Sequence, residues 1–152
     1  YFPEGKEALA EEAVARAGAL VAQRIQVGLA GQARPAVAVR NFDMRIADAV
    51  EASGYQAGGP LQSMALETAN SSPRINAACQ AAYQRLQAAF AERLTQGGYT
   101  PVRAAALATF ATAAIEGGII LSRTLHSGES LRQVARELGR LLALEDASSD
   151  VP

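Results

Sequence analysis

Pro101-Val102-Arg103-Ala104-Ala105-Ala106-Leu107-Ala108-Thr109-Phe110-Ala111-Thr112-Ala113-Ala114-Ile115-Glu116-Gly117-Gly118-Ile119-Ile120-Leu121-Ser122-Arg123-Thr124 is apolar along most of its length. Thr100 precedes Pro101, so a hydroxyl that can cap a helix is followed by a residue whose fixed φ suits the first helical turn. Val102, Leu107, Phe110, Ile115, Ile119, Ile120 and Leu121 do not keep to one side of the resulting helix. A helix that is apolar nearly all round is buried on several sides, so this one is expected at the centre of a helical assembly.

The same punctuation recurs outward from this element. A helix from Lys6 to about residue 30 carries Leu9, Ala13, Ala17, Leu20, Val21 and Ile25 at spacings of three and four, and Gly28 and Gly31 fray its end. Pro35 opens a second helix to about Ser53, with Val39, Phe42, Ile46, Ala49 and Val50 on one face and Gly54 as its stop. A short helix runs from Pro60 to about Asn70. Ser72-Pro73 then caps and opens a strong one, where Ile75, Cys79, Ala82, Tyr83, Leu86, Phe90 and Leu94 form a stripe ended by Gly97-Gly98. Ser127 caps the last helix, with Glu129 in its first turn and Leu131, Val134, Ala135, Leu138, Leu141 and Leu142 on one face. Asp146 to Pro152 reads as a polar tail. No segment alternates apolar and polar residues as a half-buried strand would, so the fold expected is all-α with six helices.

Composition agrees. Across 152 residues, 49% are apolar and 19% charged, Trp is absent, and Ala fills 34 positions, which favours helix over strand. One Cys excludes an internal disulfide framework, and one His excludes paired imidazole ligands, so neither a zinc cluster nor a di-iron site is expected. The formal charge of −1 comes from 14 basic and 15 acidic residues without a basic cluster, so the chain by itself is not expected to grip DNA. No uninterrupted apolar run approaches the roughly 20 residues of a bilayer span. The chain reads as soluble and cytoplasmic, and the lack of an initiator Met reads as trimming from a larger protein.

The opening Tyr1-Phe2-Pro3-Glu4-Gly5-Lys6-Glu7-Ala8-Leu9 resembles the junction that follows the recognition helix in TetR-type transcriptional regulators. Gly58-Gly59-Pro60-Leu61, Ala65-Leu66-Glu67, Ser72-Pro73-Arg74-Ile75, Ala78-Cys79 and Ile115-Glu116-Gly117-Gly118 resemble the ligand-domain pattern of the LmrA-like branch, and the likeness covers essentially the whole chain. It departs at Gly59, where that branch usually has Cys, so no role of that thiol carries over. The resemblance implies a TetR-type regulatory domain with two C-terminal helices pairing in a dimer four-helix bundle. Residues 1–5 are then the remnant of the N-terminal helix-turn-helix DNA-binding domain, 6–146 the ligand-binding and dimerisation domain, and 147–152 a disordered tail. It also implies a homodimeric repressor that releases operator DNA when a small lipophilic effector enters the helical core. Lys6, and with it Tyr1, would touch a DNA phosphate; a solvated surface residue is the alternative for each.

The expected ligand pocket is bounded by the helices carrying Phe42, Ile46, Tyr83, Thr109, Phe110 and Thr112, and roofed by the short helix carrying Met64. Apolar walls with a few hydroxyls suit a drug-sized molecule, although each residue also fits a plain core. Glu67 and Glu116 would favour a cationic effector, or else serve as structural carboxylates, because a carboxylate inside an apolar helix has to be paired, hydrogen-bonded or neutralised. Ala113, Gly117, Gly118, Ile120, Leu121, Leu131, Val134, Leu138 and Leu141 are the expected dimer interface, the glycines permitting close helix approach. Cys79 reads as a small buried hydrophobe and His126 as a surface residue. No cofactor or metal is expected. A small all-α enzyme would need a base, nucleophile or metal cluster, and nothing converges on one; a helical adaptor without a cavity is the remaining alternative.

Overall fold

The computed structural model describes residues 3–32 and 34–149, and these form six helices. They are α1 (Pro3–Leu29), α2 (Pro35–Ala52), α3 (Pro60–Thr68), α4 (Pro73–Gln96), α5 (Pro101–Leu125) and α6 (Glu129–Ser149). Each of α2 to α5 starts on the proline that the sequence reading used as its first residue. Thr100 and Ser72 cap as expected: their Oγ atoms accept from the Arg103 and Ile75 amides, each at 3.3 Å. Two ends differ from expectation. Helix α1 already includes Pro3, Glu4 and Gly5, and α6 continues to Ser149 instead of giving way to a tail at Asp146. The Tyr99 hydroxyl holds that last stretch, bonding to the Leu142 carbonyl at 3.0 Å and Asp146 Oδ1 at 2.8 Å.

Helix α1 packs along α4, α2 packs along α6, and α5 lies between α4 and α6 while α3 covers α4 and α1. At the α1–α4 crossing a side chain on Gly18 would sit 2.5 Å from the Ala82 Cβ, so the two backbones meet closely. The main core runs through Val14, Ile25, Leu29, Val39, Cys79, Leu86, Phe90, Leu94, Leu107, Ile115 and Leu138. A smaller cluster of Ala47, Val50 and Leu131 joins α2 to α6. The same junction is clamped electrostatically. Glu51, near the end of α2, accepts from Arg132 Nη1 and Nη2 at 2.8 Å each and from the Gly128 amide at 2.9 Å. These bonds, the Arg132 guanidinium first, hold the Glu51 carboxyl down at about 2.

Helix α5 is not central in the way its composition suggested. Ala104, Leu107, Ala108, Ala111, Thr112, Ile115, Gly118 and Ser122 turn inward, while Val102, Phe110, Ile120, Leu121 and Leu125 are exposed. Within one chain only the inner arc has helices to pack against, so the outer arc stays bare. By length and hydropathy alone α5 would suffice to cross a membrane.

Candidate functional site

Helices α3, α4 and α5 converge on Glu116. The Tyr83 phenol on α4 lies near enough to the Glu116 carboxyl for each to shift the other's titration, and the Glu116 backbone carbonyl accepts from Gln62 Nε2 on α3 at 3.4 Å. Both partners are only partly accessible to solvent. Burial raises the Glu116 carboxyl above the ordinary glutamate range, and the nearby Tyr83 phenol opposes the shift by favouring the ionised form. Tyr83 is pushed up to about 12, by burial first and then by the neighbouring Glu116 charge. The result is a polar pair set in the wall of an otherwise apolar bundle. It offers one acceptor that can be charged and one phenol, the chemistry that greets a cationic or hydrogen-bonding group on a lipophilic molecule.

Thr112 lies one turn before Glu116 on the inner side of α5, but its hydroxyl bonds to the Ala108 carbonyl at 2.8 Å. Thr109 likewise donates to the Ala105 carbonyl at 3.1 Å, so both hydroxyls are engaged within their own helix. Met64 and Ile46 are partly buried against the main core. Phe42 packs elsewhere: its ring meets Phe90 edge-on at 6.0 Å, with the Arg45 guanidinium 6.0 Å from its centroid. The remaining members of the expected pocket are not gathered there. Phe110 is 54% exposed and Thr109 is exposed with it, because the buried arc of α5 passes through Ala108, Ala111 and Ile115 and leaves position 110 outside. Glu67 is exposed on α3.

The residues expected at a dimer interface divide into two groups. Leu131 and Leu138 are buried in the chain's own core, and Val134 and Leu141 pack beside them. Gly118 belongs with these: a Cβ there would sit 2.8 Å from Leu131 Cδ2 and 3.3 Å from Val134 Cγ2, so it serves the α5–α6 contact inside one chain. Ala113, Ile120 and Leu121 are exposed, and a Cβ on Gly117 would meet open space. Together with Val102, Thr109, Phe110 and Thr124 they make an uncharged outer face on α5. The outer side of α6 carries Gln133, Glu137 and Arg140 instead.

Lys6 is exposed in the first turns of α1, and Tyr1 lies outside the described residues. Cys79 is buried and His126 is exposed, as expected. Asp43 is fully buried on α2, and among the described residues neither carboxylate oxygen has a hydrogen-bond partner; burial pushes its carboxyl well above the usual range. Sequence reasoning missed it. The signal was present, since Val39, Asp43, Ala47 and Val50 follow one another at helical spacing along the buried face. Also missed was a surface depression of about 400 Å³ lined by Tyr55, Gln62, Ile120, Arg123, Thr124 and His126. Among the described residues no group of three or more His, Cys, Asp or Glu is placed to hold a metal ion.

With this geometry in place, comparison with known proteins adds the following. The family described as transcriptional regulator LmrA/YxaF-like, C-terminal domain, matches residues 35–137. An HTH-type transcriptional regulator of Bacillus subtilis strain 168, YxaF, is 32% identical over 138 residues, covering 91% of this chain and 72% of that protein. The HTH-type transcriptional regulator LmrA of the same organism is 31% identical over 142 residues, covering 93% and 76%. Among solved structures, a TetR transcriptional regulator from Chloroflexus aurantiacus J-10-FL superposes with a TM-score of 0.72 at 22% identity, over 93% of this chain and 74% of that one.

Proposed function

Because the chain belongs to the LmrA/YxaF-like branch of TetR-type transcriptional regulators, we propose that it is the effector-binding and dimerising domain of a cytoplasmic repressor. A small lipophilic effector enters the helical core beside Tyr83 and Glu116, under the α3 roof that carries Met64. The half-buried Tyr83–Glu116 pair is the observation that carries this reading, since a carboxylate raised by burial gains most when a cation or donor arrives. Effector binding alters the spacing of two DNA-binding heads across a homodimer, and operator DNA is released.

The outer face of α5 supports the dimer. Val102, Phe110, Ala113, Ile120 and Leu121 form an exposed apolar strip with no charge in it, which water leaves unpaired and a second copy can cover. Because α6 buries Leu131, Leu138 and Leu142 inside the chain, α5 supplies the apolar centre of this interface and α6 its charged rim. Two measurements test the proposal together. Displacement of an environment-sensitive dye by lipophilic cations reports the site, and light scattering reports the dimer. A dimer from which no lipophilic cation displaces dye would instead be a helical adaptor.

A further inference from the structure

Arg123 and His126, at the C-terminal end of α5, face the loop between α2 and α3. Arg123 Nε donates to the Tyr55 carbonyl at 3.2 Å, while its two terminal nitrogens contact no carboxylate among the described residues. The His126 ring stacks on Tyr55 with centroids 5.3 Å apart and planes 26° from parallel. Both residues hold positive φ, where glycine is the ordinary choice: 49° at His126, the left-handed cap of α5, and 64° at Tyr55, which follows Gly54 in the loop after α2. Two bulky rings are thus kept in a costly backbone conformation that brings them together, the situation in which strain points to a use. Gly58 makes room opposite, since a Cβ there would lie 3.0 Å from Arg123 Nη1 and from Ile119 Cγ2.

The groups that line the depression share one chemistry. Arg123 presents a guanidinium fork and Gln62 an amide. Thr124 has a hydroxyl that, unlike those of Thr68, Thr95, Thr109 and Thr112, makes no bond to the carbonyl four residues back. Neither ring nitrogen of His126 has a protein partner among the described residues. Tyr55 and Ile120 add an aromatic face and an apolar wall, and no acidic residue lines the hollow. A volume of about 400 Å³ suits a small ligand. We propose that this depression is a second ligand site, taking a planar aromatic carboxylate whose anion sits in the Arg123 fork and whose ring lies against the Tyr55–His126 stack. It selects the opposite charge from the Tyr83–Glu116 site, with which it shares Gln62, and it lies at the C-terminal end of the outer α5 face, whose Ile120 and Thr124 also line it.

The chain's single histidine makes the site directly observable, because one imidazole signal in a proton NMR spectrum belongs to His126. Titration with 2-naphthoate should shift that signal to saturation, whereas 2-naphthylmethanol and 2-naphthylmethylamine should bind far more weakly. Arg123→Gln should weaken naphthoate at least about tenfold, with Arg123→Lys in between. No saturable shift, equal affinity for all three naphthalenes, or unchanged naphthoate binding by a folded Arg123→Gln chain would each overturn the proposal. The charge series needs only the unaltered chain, so a poorly folded variant does not remove the test.

Discussion

Tyr83 on α4 and Glu116 on α5 stand close enough across the α4–α5 contact for each to shift the other's titration. The Tyr83 phenol favours the charged form of Glu116 against burial. Tyr83→Phe should therefore raise the Glu116 carboxyl further, measurable as a carbon-13 NMR titration of the glutamate carboxyls. An unchanged Glu116 titration would mean the two groups do not communicate.

Asp43 is expected to be a standing cost. Its folded pKa is raised above the unfolded value, so its contribution to stability is full below the ordinary aspartate range and is lost as pH rises through the raised value. Asp43→Asn keeps the shape and removes the charge. It should stabilise the chain by about 1–3 kcal/mol at pH 8, with the gain fading in acid, as urea denaturation at the two pH values would measure. A destabilised variant at pH 8 would show that ionised Asp43 has a partner.

Glu51 should behave in the opposite sense. Its pKa is depressed to about 2 by Arg132 and the Gly128 amide, so its stabilising contribution is present above pH 4.5 and lost as pH falls toward 2. Glu51→Gln should lower the thermal midpoint at pH 7, and the difference from the unaltered chain should close on acidification. A gap that persists at pH 2 would assign the loss to packing between α2 and α6.

On the proposed interface, exposure separates association from folding. Phe110→Glu or Leu121→Glu places a charge on a face open to solvent in the single chain, so light scattering should report monomers of unchanged helicity by circular dichroism. Leu131→Asp buries an unpaired charge in the chain's own core and should cost roughly 3–5 kcal/mol, unfolding the chain before it dissociates. A dimer that tolerates both α5 substitutions would place the contact elsewhere.

The fold was legible because its punctuation is local. Pro35, Pro60, Pro73 and Pro101 start helices through their own φ angle, and Ser72 and Thr100 cap them with their own hydroxyls, so no knowledge of neighbours is needed. Facing was legible only where a stripe was narrow. In α4 every expected residue but Tyr83 is buried, with Ala89 added to them, whereas α5 is apolar all round and nothing in it says that Ile115 turns in and Phe110 out. Gly117 and Gly118 are identical in sequence terms, yet one meets Leu131 and the other open space. The site was half legible for the same reason. Glu116 and Tyr83 stand out within their stripes, but their pairing, and the Tyr55–His126 stack across a loop, depend on how helices far apart in sequence come together.

If Glu116 receives the charged end of a lipophilic effector, as proposed, calorimetric titration of a matched pair, a lipophilic aromatic cation and its neutral isostere, should separate the unaltered chain from Glu116→Gln. The substitution should weaken the cation by at least about tenfold and leave the neutral compound nearly unchanged. Equal loss for both compounds, or no loss for the cation, would contradict the proposal and leave Glu116 as a structural carboxylate beside Tyr83.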